Sequence, residues 1–427
     1  KYEQSVESRS SRLVSVAVDD FNDHQAIPIA FSYIDDTFRT NTSTPRGRTI
    51  VGLDFNDKAA AFIPADWNGD GYTDYLTVAK IGSDSIVLDV RRYNGTDYNE
   101  IITQPVINSG NLGSYAETQA WLSGDFDGDG HIDLYQVYGT GNFNRDVRIY
   151  RNRGNGEFDG AINAVTGIQE IESDDIYLAI DMNMDGRTDI VRVDDFGGLG
   201  VDVWTSDGLG TSYSRWSNDL AANGNGTFFG DFNGDGQLDI ATLYENASGD
   251  MESSIKINED GTFVHRENVT FPNASSESKF TAADLNGDGL SDLVFYEENL
   301  GGGDLDLFYA RLNTGTQFPT ASQELLRVTL RRDELSHFQF ADLNGDHIAD
   351  LVYFDGNQQL KATYFENVGG QLQDYRTVTY TGHAVGGSDE VLRMPFADYD
   401  GDGYVDIAIL EGENAGDPES FQLWDSD

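Results

Sequence analysis

One short acidic pattern, D-x-[DN]-x-D-[GH]-x-x-D, occurs seven times along the 427 residues. The copies are numbered here as loops 1 to 7, and their first aspartates are Asp66, Asp125, Asp181, Asp231, Asp284, Asp342 and Asp398. The spacing between consecutive copies runs from 50 residues (Asp181 to Asp231) to 59 residues (Asp66 to Asp125). A period of this length indicates a repeat architecture, in which each copy is one supersecondary unit that packs on its neighbours.

The residues around each loop predict short β-strands. Apolar stretches such as GTFFGD and FTAAD precede the loops, and β-rich stretches such as DIATLY and DLVFY follow them. Two further strand-like stretches complete most repeats, for example SIVLDVRRY and NEIITQPV, with Gly and Asn between them. Four strands per unit is the composition of a β-propeller blade, whereas the repeat of a β-helix is far shorter.

We therefore predict an all-β fold, a single β-propeller domain over residues 1–427. Its loop-containing blades start near residues 58, 116, 174, 224, 277, 335 and 390. Residues 1–57 hold a degenerate copy, VAVDDFNDH, in which Ile27 replaces the ninth-position aspartate, and we expect no metal there. Counting this copy favours eight blades, with the ring closed by pairing N- and C-terminal strands, the N-terminal one near Gln4–Ser8. The seven-bladed alternative takes its closing strand from RTIVGLDF and leaves residues 1–46 as an extra segment.

The side chains within each loop are spaced to direct oxygen atoms at one point. In loop 2, Asp125, Asp127 and Asp129 alternate with other residues, Asp133 closes the pattern, and His131 offers its backbone carbonyl. Calcium takes six to eight oxygen ligands at roughly 2.3–2.6 Å, and glycine allows the sharp turn that this convergence needs. Magnesium suits the loops less, because it demands octahedral geometry and retains its waters. We predict about seven structural Ca²⁺ sites.

The predicted metal ligands occupy the first, third, fifth, seventh and ninth positions of every loop. They are Asp66, Asn68, Asp70, Tyr72, Asp74, Asp125, Asp127, Asp129, His131, Asp133, Asp181, Asn183, Asp185, Arg187, Asp189, Asp231, Asn233, Asp235, Gln237, Asp239, Asp284, Asn286, Asp288, Leu290, Asp292, Asp342, Asn344, Asp346, Ile348, Asp350, Asp398, Asp400, Asp402, Tyr404 and Asp406. An EF-hand would need glutamate at the twelfth position and flanking helices, and neither is present, so the ninth aspartate is interpreted as the closing ligand. Asp-Gly and Asn-Gly are also ordinary turn residues, but seven loops with aspartate at the first, fifth and ninth positions favour metal binding. Met184 and His347, which replace glycines, mark two sites expected to be weak.

These loops resemble the FG-GAP and VCBS-type repeats, whose best-known example is the propeller head of integrin α-chains. DWNGDGYTD, DFDGDGHID, DFNGDGQLD, DLNGDGLSD and DYDGDGYVD match that family's calcium-binding hairpin loop. The literal FG and GAP elements are missing, so the chain looks closer to microbial surface-protein repeats than to an integrin. The resemblance implies extracellular attachment or ligand binding.

Charge and composition exclude several partners. The 74 Asp and Glu residues against 27 Lys and Arg give a formal net charge of -47, which repels nucleic acid and anionic membranes. At 38% hydrophobic residues the chain has enough apolar surface for a packed core, and the lack of cysteine excludes thiol chemistry. No apolar run reaches the roughly 18 residues of a membrane span, so no transmembrane segment is expected.

The working surface is less well marked than the loops. No catalytic motif is found, and the chain is interpreted as more a binding module than an enzyme, acting on a carbohydrate or an extracellular protein. Trp216 is the candidate sugar-stacking residue, whereas Trp67 is expected in the core. The alternative is a calcium-dependent polysaccharide lyase, in which Arg clusters such as Arg148-Arg151-Arg153 would bind an acidic glycan. Extracellular calcium modules have dissociation constants of roughly 0.1–1 mM, which predicts an extracellular or cell-surface location.

Overall fold

The computed structural model describes the strands and most of the turns between residues 61 and 380. The described residues are 2–4, 11–13, 15–16, 29–30, 46–50, 61–81, 85–93, 100–108, 118–141, 144–169, 175–194, 199–208, 213–221, 224–272, 274, 278–297, 306–328, 337–342, 348–355, 360–368, 371–380, 391–393, 396–397, 406–412 and 419–424. All regular structure among them is β, which confirms the predicted all-β class. No helix in this part of the chain has the length and apolarity needed to cross a membrane.

Five short strands lie before the first loop. They are β1 (Tyr2–Gln4), β2 (Ser11–Leu13), β3 (Ser15–Val16), β4 (Ile29–Ala30) and β5 (Arg46–Ile50). β1 pairs with β2 and β3 pairs with β4, each as a separate two-stranded antiparallel sheet. The degenerate loop copy around Asp20 lies outside the described residues.

Seven larger antiparallel sheets follow, numbered here as sheets 1 to 7. Six of them have four strands in chain order, so each is a simple meander. Their strands are β6 (Ala61–Ala65), β7 (Asp74–Ile81), β8 (Ser85–Arg92) and β9 (Glu100–Asn108); β10 (Thr118–Gly124), β11 (Asp133–Gly141), β12 (Asn144–Tyr150) and β13 (Ile162–Gln169); β14 (Ile176–Ile180), β15 (Asp189–Asp194), β16 (Leu199–Ser206) and β17 (Tyr213–Ala221); β18 (Gly224–Gly230), β19 (Asp239–Glu245), β20 (Met251–Glu259) and β21 (Thr262–Phe271); β22 (Lys279–Ala283), β23 (Asp292–Glu297), β24 (Asp306–Arg311) and β25 (Gln323–Val328); β26 (His337–Ala341), β27 (Asp350–Asp355), β28 (Leu360–Asn367) and β29 (Leu372–Tyr380).

Sheet 7 combines the last described strands with a strand that precedes loop 1. It contains β30 (Val391–Arg393), β31 (Phe396–Ala397), β32 (Asp406–Gly412) and β33 (Glu419–Trp424), and β33 pairs with β5. The register runs from Glu419 opposite Ile50 to Leu423 opposite Arg46.

This pairing corrects the predicted closing strand and favours seven blades over the eight that were expected. The strand beside β33 comes from the segment of the seven-bladed alternative, whereas Gln4 pairs with Ser11 inside the β1–β2 sheet. Among the described strands there are seven sheets of blade size and no eighth. The physical reason is that a sheet edge pairs with one strand. The five-residue β5 occupies the edge of β33, so a strand from near Gln4 has no edge there to pair with.

Loops 1 to 6 each join the first strand of their sheet to the second, and loop 7 joins β31 to β32. The strand after the loop begins at the ninth-position aspartate in all seven sheets, at Asp74, Asp133, Asp189, Asp239, Asp292, Asp350 and Asp406; it is the second strand in sheets 1 to 6 and β32 in sheet 7. Because the strands of a meander alternate in direction, all the loops lie at the same end of their sheets.

The hydrophobic core lies between successive sheets. One cluster combines Trp67 and Leu76 of the sheet 1 repeat with Leu134 and Tyr150 of sheet 2, and four further clusters join sheets 2 to 6 in the same pairwise way. The second residue of each described loop is fully buried in one of these clusters, at Trp67, Phe126, Met182, Phe232 and Leu285. Burial of such a side chain contributes roughly 1.5–3 kcal/mol, so each loop is anchored at its second position. Face-to-face packing of consecutive meanders is the packing of propeller blades.

Candidate metal-binding loops

The first aspartate lies at the centre of each of the five described loops, loops 1 to 5. Its Oδ2 accepts the backbone N–H of the sixth-position glycine at 2.8–2.9 Å, as in the bond from Gly130 to Asp125. These glycines have φ between 81° and 89°, a left-handed conformation that side-chain-bearing residues rarely adopt. The required glycine therefore sets the turn that encloses the carboxylate.

The third and fifth residues also point into the turn. The third-position oxygen accepts the N–H of the fifth residue at 2.9–3.3 Å. The fifth-position carboxylate accepts the N–H of the seventh residue at 2.8–3.0 Å. The first, third and fifth side chains thus each accept a backbone N–H of the same short turn, and their role as metal ligands stays a prediction.

The ninth aspartate has a role that the spacing did not reveal. In loop 2, Asp133 is fully buried; its Oδ2 accepts the N–H of Phe126 at 3.0 Å, and its Oδ1 accepts the N–H of Asn152 at 2.7 Å. Loops 3, 4 and 5 repeat both bonds. This carboxylate therefore ties the loop to the end of the third strand. A carboxylate oxygen has two lone pairs, so these bonds leave each oxygen able to ligate a cation.

Burial acts strongly on these carboxyls. It raises the pKa of Asp133, Asp189 and Asp292 to about 7 each, and that of Asp239 to about 6. For Asp74, burial together with the nearby Asp70 and Asp66 carboxylates raises the pKa to about 8. Asp74 Oδ1 accepts the backbone N–H of Tyr93 at 2.8 Å, so the carboxylate of loop 1 is also bonded near the end of its third strand. A bound cation would offset the carboxylate repulsion and the burial of charge in these loops.

Loop 2 has the strongest convergence of acidic groups. One oxygen from each of Asp125, Asp127 and Asp133 lies within 4.8 Å of the other two. Two ligands on opposite sides of a calcium ion are at most about 5 Å apart, so these carboxylates fit a single ion. Asp127 also pairs with the guanidinium of Arg151 at the end of the third strand. Within the described residues, this is the one group of three acidic side chains with such spacing.

Loop 3 departs from the others at its fourth residue. Met184 replaces glycine, adopts φ 56° and is exposed. In the other four described loops the fourth-position N–H bonds to the first aspartate at 2.6–2.8 Å, and loop 3 lacks this bond. Its bond from Gly186 to Asp181 remains at 2.9 Å. The turn is therefore retained, with one bond fewer and a strained residue, and reduced affinity at this loop stays a prediction.

Several predicted ligands lie outside the described residues. They are Asn344, Asp346, Asp398, Asp400, Asp402 and Tyr404, and His347 falls with them. In loop 6, Asp350 is described, and its Oδ1 accepts the N–H of Asn367 at 2.8 Å. The seventh-position ligands were predicted for their carbonyls. The His131 ring lies against Gly154, and the Arg187 guanidinium bonds to Asp185, the fifth-position carboxylate of its own loop.

The candidate ligand-binding residues are mostly accounted for by internal contacts. Trp67 is core, as expected, and Trp216 lies in β17 opposite Val203, with its side chain outside the described part. Arg148 stacks on Tyr138 and Arg153 pairs with Asp159, so the proposed cationic cluster is engaged within the chain.

A set of asparagines was missed in the sequence. Asn152, Asn258, Asn313 and Asn367 follow or end the third strands, and each is fully buried and hydrogen-bonded. In the sequence these residues are marked by an asparagine two or three residues before a glycine, in RNRG, INEDG, LNTG and ENVG. This pattern was interpreted only as a turn between strands. Its recurrence 17 to 21 residues after the ninth aspartates of loops 2, 4, 5 and 6 would have identified it.

Comparison with known proteins gives distant likenesses only. No protein-family model and no curated protein matches the sequence, so the resemblance to FG-GAP and VCBS-type repeats rests on the loop residues. Among solved structures, AofleA from Arthrobotrys oligospora is 12% identical, with 82% of this chain and 94% of that chain covered and a TM-score of 0.41. A proposed 6-phosphogluconolactonase from Bacteroides fragilis is 12% identical, with coverage of 74% and 83% and a TM-score of 0.43. These likenesses carry no inference about function.

Proposed function

We propose that the chain is a calcium-stabilised β-propeller of seven blades that serves outside the cell as a rigid module for binding a carbohydrate or protein ligand. The observation that carries the calcium assignment is the repeated turn in loops 1 to 5, where the first, third and fifth side chains accept backbone N–H bonds of their own turn beside a buried ninth carboxylate. The spacing of Asp125, Asp127 and Asp133 supports the same assignment in loop 2.

Calcium would act on the structure rather than on a reaction. The loop residues are bonded to strand ends, so a cation would hold the loop that connects the first two strands of each sheet. A domain built this way needs calcium at about 0.1–1 mM, which is present outside cells. The extracellular location follows from this argument and from the loop resemblance.

The calcium assignment is tested by thermal unfolding of the chelator-treated full chain. We expect calcium at millimolar concentration to raise the melting temperature by more than about 10 °C, and magnesium to raise it far less, because several sites contribute together. Asp125→Asn should remove one site from the calcium isotherm. Equal melting curves with calcium and with chelator would contradict the assignment.

Ligand binding is tested separately, because structural calcium does not name a ligand. We expect the calcium-loaded protein to bind a subset of glycans on an array without altering them. An ultraviolet assay for unsaturated products on uronic polysaccharides tests the lyase alternative on the same preparation. Product formation would replace the binding function by the enzymatic one.

A further inference from the structure

The buried asparagines link each loop to its own sheet. The backbone N–H of Asn152 bonds to Oδ1 of Asp133 at 2.7 Å. Three further asparagines bond to the ninth aspartates of loops 4, 5 and 6 at 2.6–2.8 Å, namely Asn258, Asn313 and Asn367. None of the four is more than 2% exposed. The contact is therefore part of the interior, and movement of the ninth carboxylate would move the asparagine.

The asparagine side chains link the same loop to the preceding one. The Asn152 amide donates to the carbonyl of Trp67, the second residue of loop 1, at 2.8 Å. Its second donor bond goes to the carbonyl of Ile132 in its own loop at 2.9 Å. The other three asparagines repeat the bond to the preceding loop, each at 2.8 Å. One amide hydrogen of Asn152 therefore bonds to loop 1 and the other to loop 2.

Sheet 3 makes the link with a serine. Ser206 N–H bonds to Asp189 Oδ1 at 2.8 Å, and Ser206 Oγ donates to the carbonyl of Phe126 in loop 2 at 2.8 Å. The contact to the preceding loop is therefore kept although the residue type changes. Serine keeps the donor to the neighbour and loses the amide's second donor.

A backbone bond adds a second connection between several loops. The N–H of the eighth residue bonds to the carbonyl of the first aspartate in the preceding loop. The bonds run from Thr188 to Asp125 at 2.6 Å, from Ser291 to Asp231 at 2.7 Å and from Ala349 to Asp284 at 2.9 Å. The first aspartate of a loop, a predicted cation ligand, thus accepts through its own backbone carbonyl a hydrogen bond from the next loop.

We propose that these asparagines and the serine couple cation binding between neighbouring loops, so that occupancy of one loop raises the affinity of the next. The proposal rests on the calcium function proposed above. A cation would fix the first and ninth aspartates of its loop. The asparagine or serine bonded to the ninth aspartate would then be fixed as well, and with it the backbone carbonyl that this side chain contacts in the adjacent loop. The adjacent loop therefore loses less conformational entropy when it binds its own cation than it would beside an empty loop. Its affinity is raised, and by thermodynamic linkage the effect is the same in both directions.

Loops 1 and 2 offer the sharpest test, because Trp67 in loop 1 can sensitise luminescence from terbium, a calcium substitute. The loop 1 signal is defined in the full chain as the signal that Asp70→Asn removes. We expect Asp129→Asn, which disables loop 2, to weaken terbium binding at loop 1 by about 5-fold or more. Asp235→Asn in loop 4 and Glu157→Gln, which removes an exposed carboxylate of sheet 2, should leave loop 1 unchanged.

The role of the asparagine is tested by repeating the Asp129→Asn comparison in two backgrounds. In Asn152→Ala the effect of Asp129→Asn on loop 1 should disappear, whereas in Asn152→Ser it should persist, as Ser206 suggests. Should Asn152→Ala fail to fold, Asn152→Leu removes the side-chain donors at similar side-chain size, and the effect of Asp129→Asn on loop 1 should disappear there too.

Each result decides one point. An unchanged loop 1 affinity in Asp129→Asn would overturn the coupling, and an effect that persists undiminished in Asn152→Ala would overturn the role of the asparagine. A folded protein that binds neither terbium nor calcium would instead overturn the calcium function itself.

Discussion

Arg151 pairs with Asp127, one of the three carboxylates that converge in loop 2. The guanidinium already neutralises part of the loop charge, so an incoming calcium ion competes with it. We predict that Arg151→Gln tightens calcium binding at one site by about 3- to 5-fold, the value of a partly exposed ion pair. Isothermal titration of the full chain measures this change.

Arg153→Gln is the matched control for Arg151→Gln. Arg153 lies two residues away and pairs with Asp159 and Glu157 on the exposed surface. The Arg153→Gln variant should leave the calcium isotherm unchanged. Weaker calcium binding in Arg151→Gln would show that the arginine orients Asp127 and does not compete for it.

The stability of the calcium-free protein should fall as the pH rises. Burial raises the pKa of Asp133 to about 7, and Asp74 reaches about 8, above the ordinary value for aspartate. A carboxyl whose pKa is raised by folding contributes stability below its unfolded pKa, and this is lost as the pH rises through the folded value. The melting temperature without calcium should therefore decrease between pH 5 and pH 8.

Saturating calcium should flatten this dependence, because a bound cation stabilises the ionised carboxylates. Thermal melts at several pH values with and without calcium provide the comparison. A calcium-free melting temperature that stays constant, or rises, from pH 5 to pH 8 would be inconsistent with protonated aspartates in the loops.

Met184 should be a destabilising residue at its position. It adopts φ 56° where loops 1, 2, 4 and 5 have glycine, and a left-handed non-glycine residue is strained by roughly 1–2 kcal/mol. Met184→Gly should increase the free energy of unfolding by about 1 kcal/mol, allowing for the greater freedom of glycine in the unfolded chain. Urea unfolding measures the change.

Asp260 provides the comparison for Met184. It is the other described non-glycine residue with positive φ, at 48°, and it lies in a turn outside the loops. Aspartate tolerates this conformation better than methionine does, so Asp260→Gly should have the smaller effect. Equal stabilisation by both variants would argue against specific strain at Met184.

Arg192 should be essential for stability in sheet 3. Its guanidinium lies between Asp202 and Asp175, and all three side chains are at most 10% exposed. Arg192→Met would remove the guanidinium from between two buried carboxylates, and we predict a loss of about 3–5 kcal/mol in the free energy of unfolding.

The exposed pair of Arg153 again supplies the reference. Arg153→Met should change the unfolding free energy by no more than about 1 kcal/mol, since exposed ion pairs contribute little. Both variants can be compared by urea unfolding in calcium. A similar small effect for Arg192→Met would mean that Asp202 and Asp175 find other partners or become protonated.

The parts of the fold that could be predicted were those with local signals. The loop period identified the repeats, and a strand begins at the ninth aspartate in each of the seven sheets. Trp67 was placed in the core because other loops have apolar residues at its position, and it is fully buried. These inferences needed only spacing and side-chain type.

The parts that could not be predicted depend on contacts distant in sequence. The choice between β5 and the segment near Gln4 as partner of β33 compares two pairings across more than 360 residues, and both segments have strand-like patterns. Asn152 bonds to Trp67, 85 residues away, and no local rule reveals that acceptor. The buried role of Asp133 was hidden for the same reason, because Asn152 is one of its donors.

The pairing of β5 with β33 also determines how the protein would respond to force. Arg46 lies opposite Leu423, so the chain before β5 and the chain after β33 leave the pair at the same end. Tension between these two segments would open the ladder one bond at a time, whereas tension along opposed directions would load all its bonds together. When the chain before β5 and the chain after β33 are pulled apart, sheet 7 would therefore open first. The six four-stranded sheets would open later.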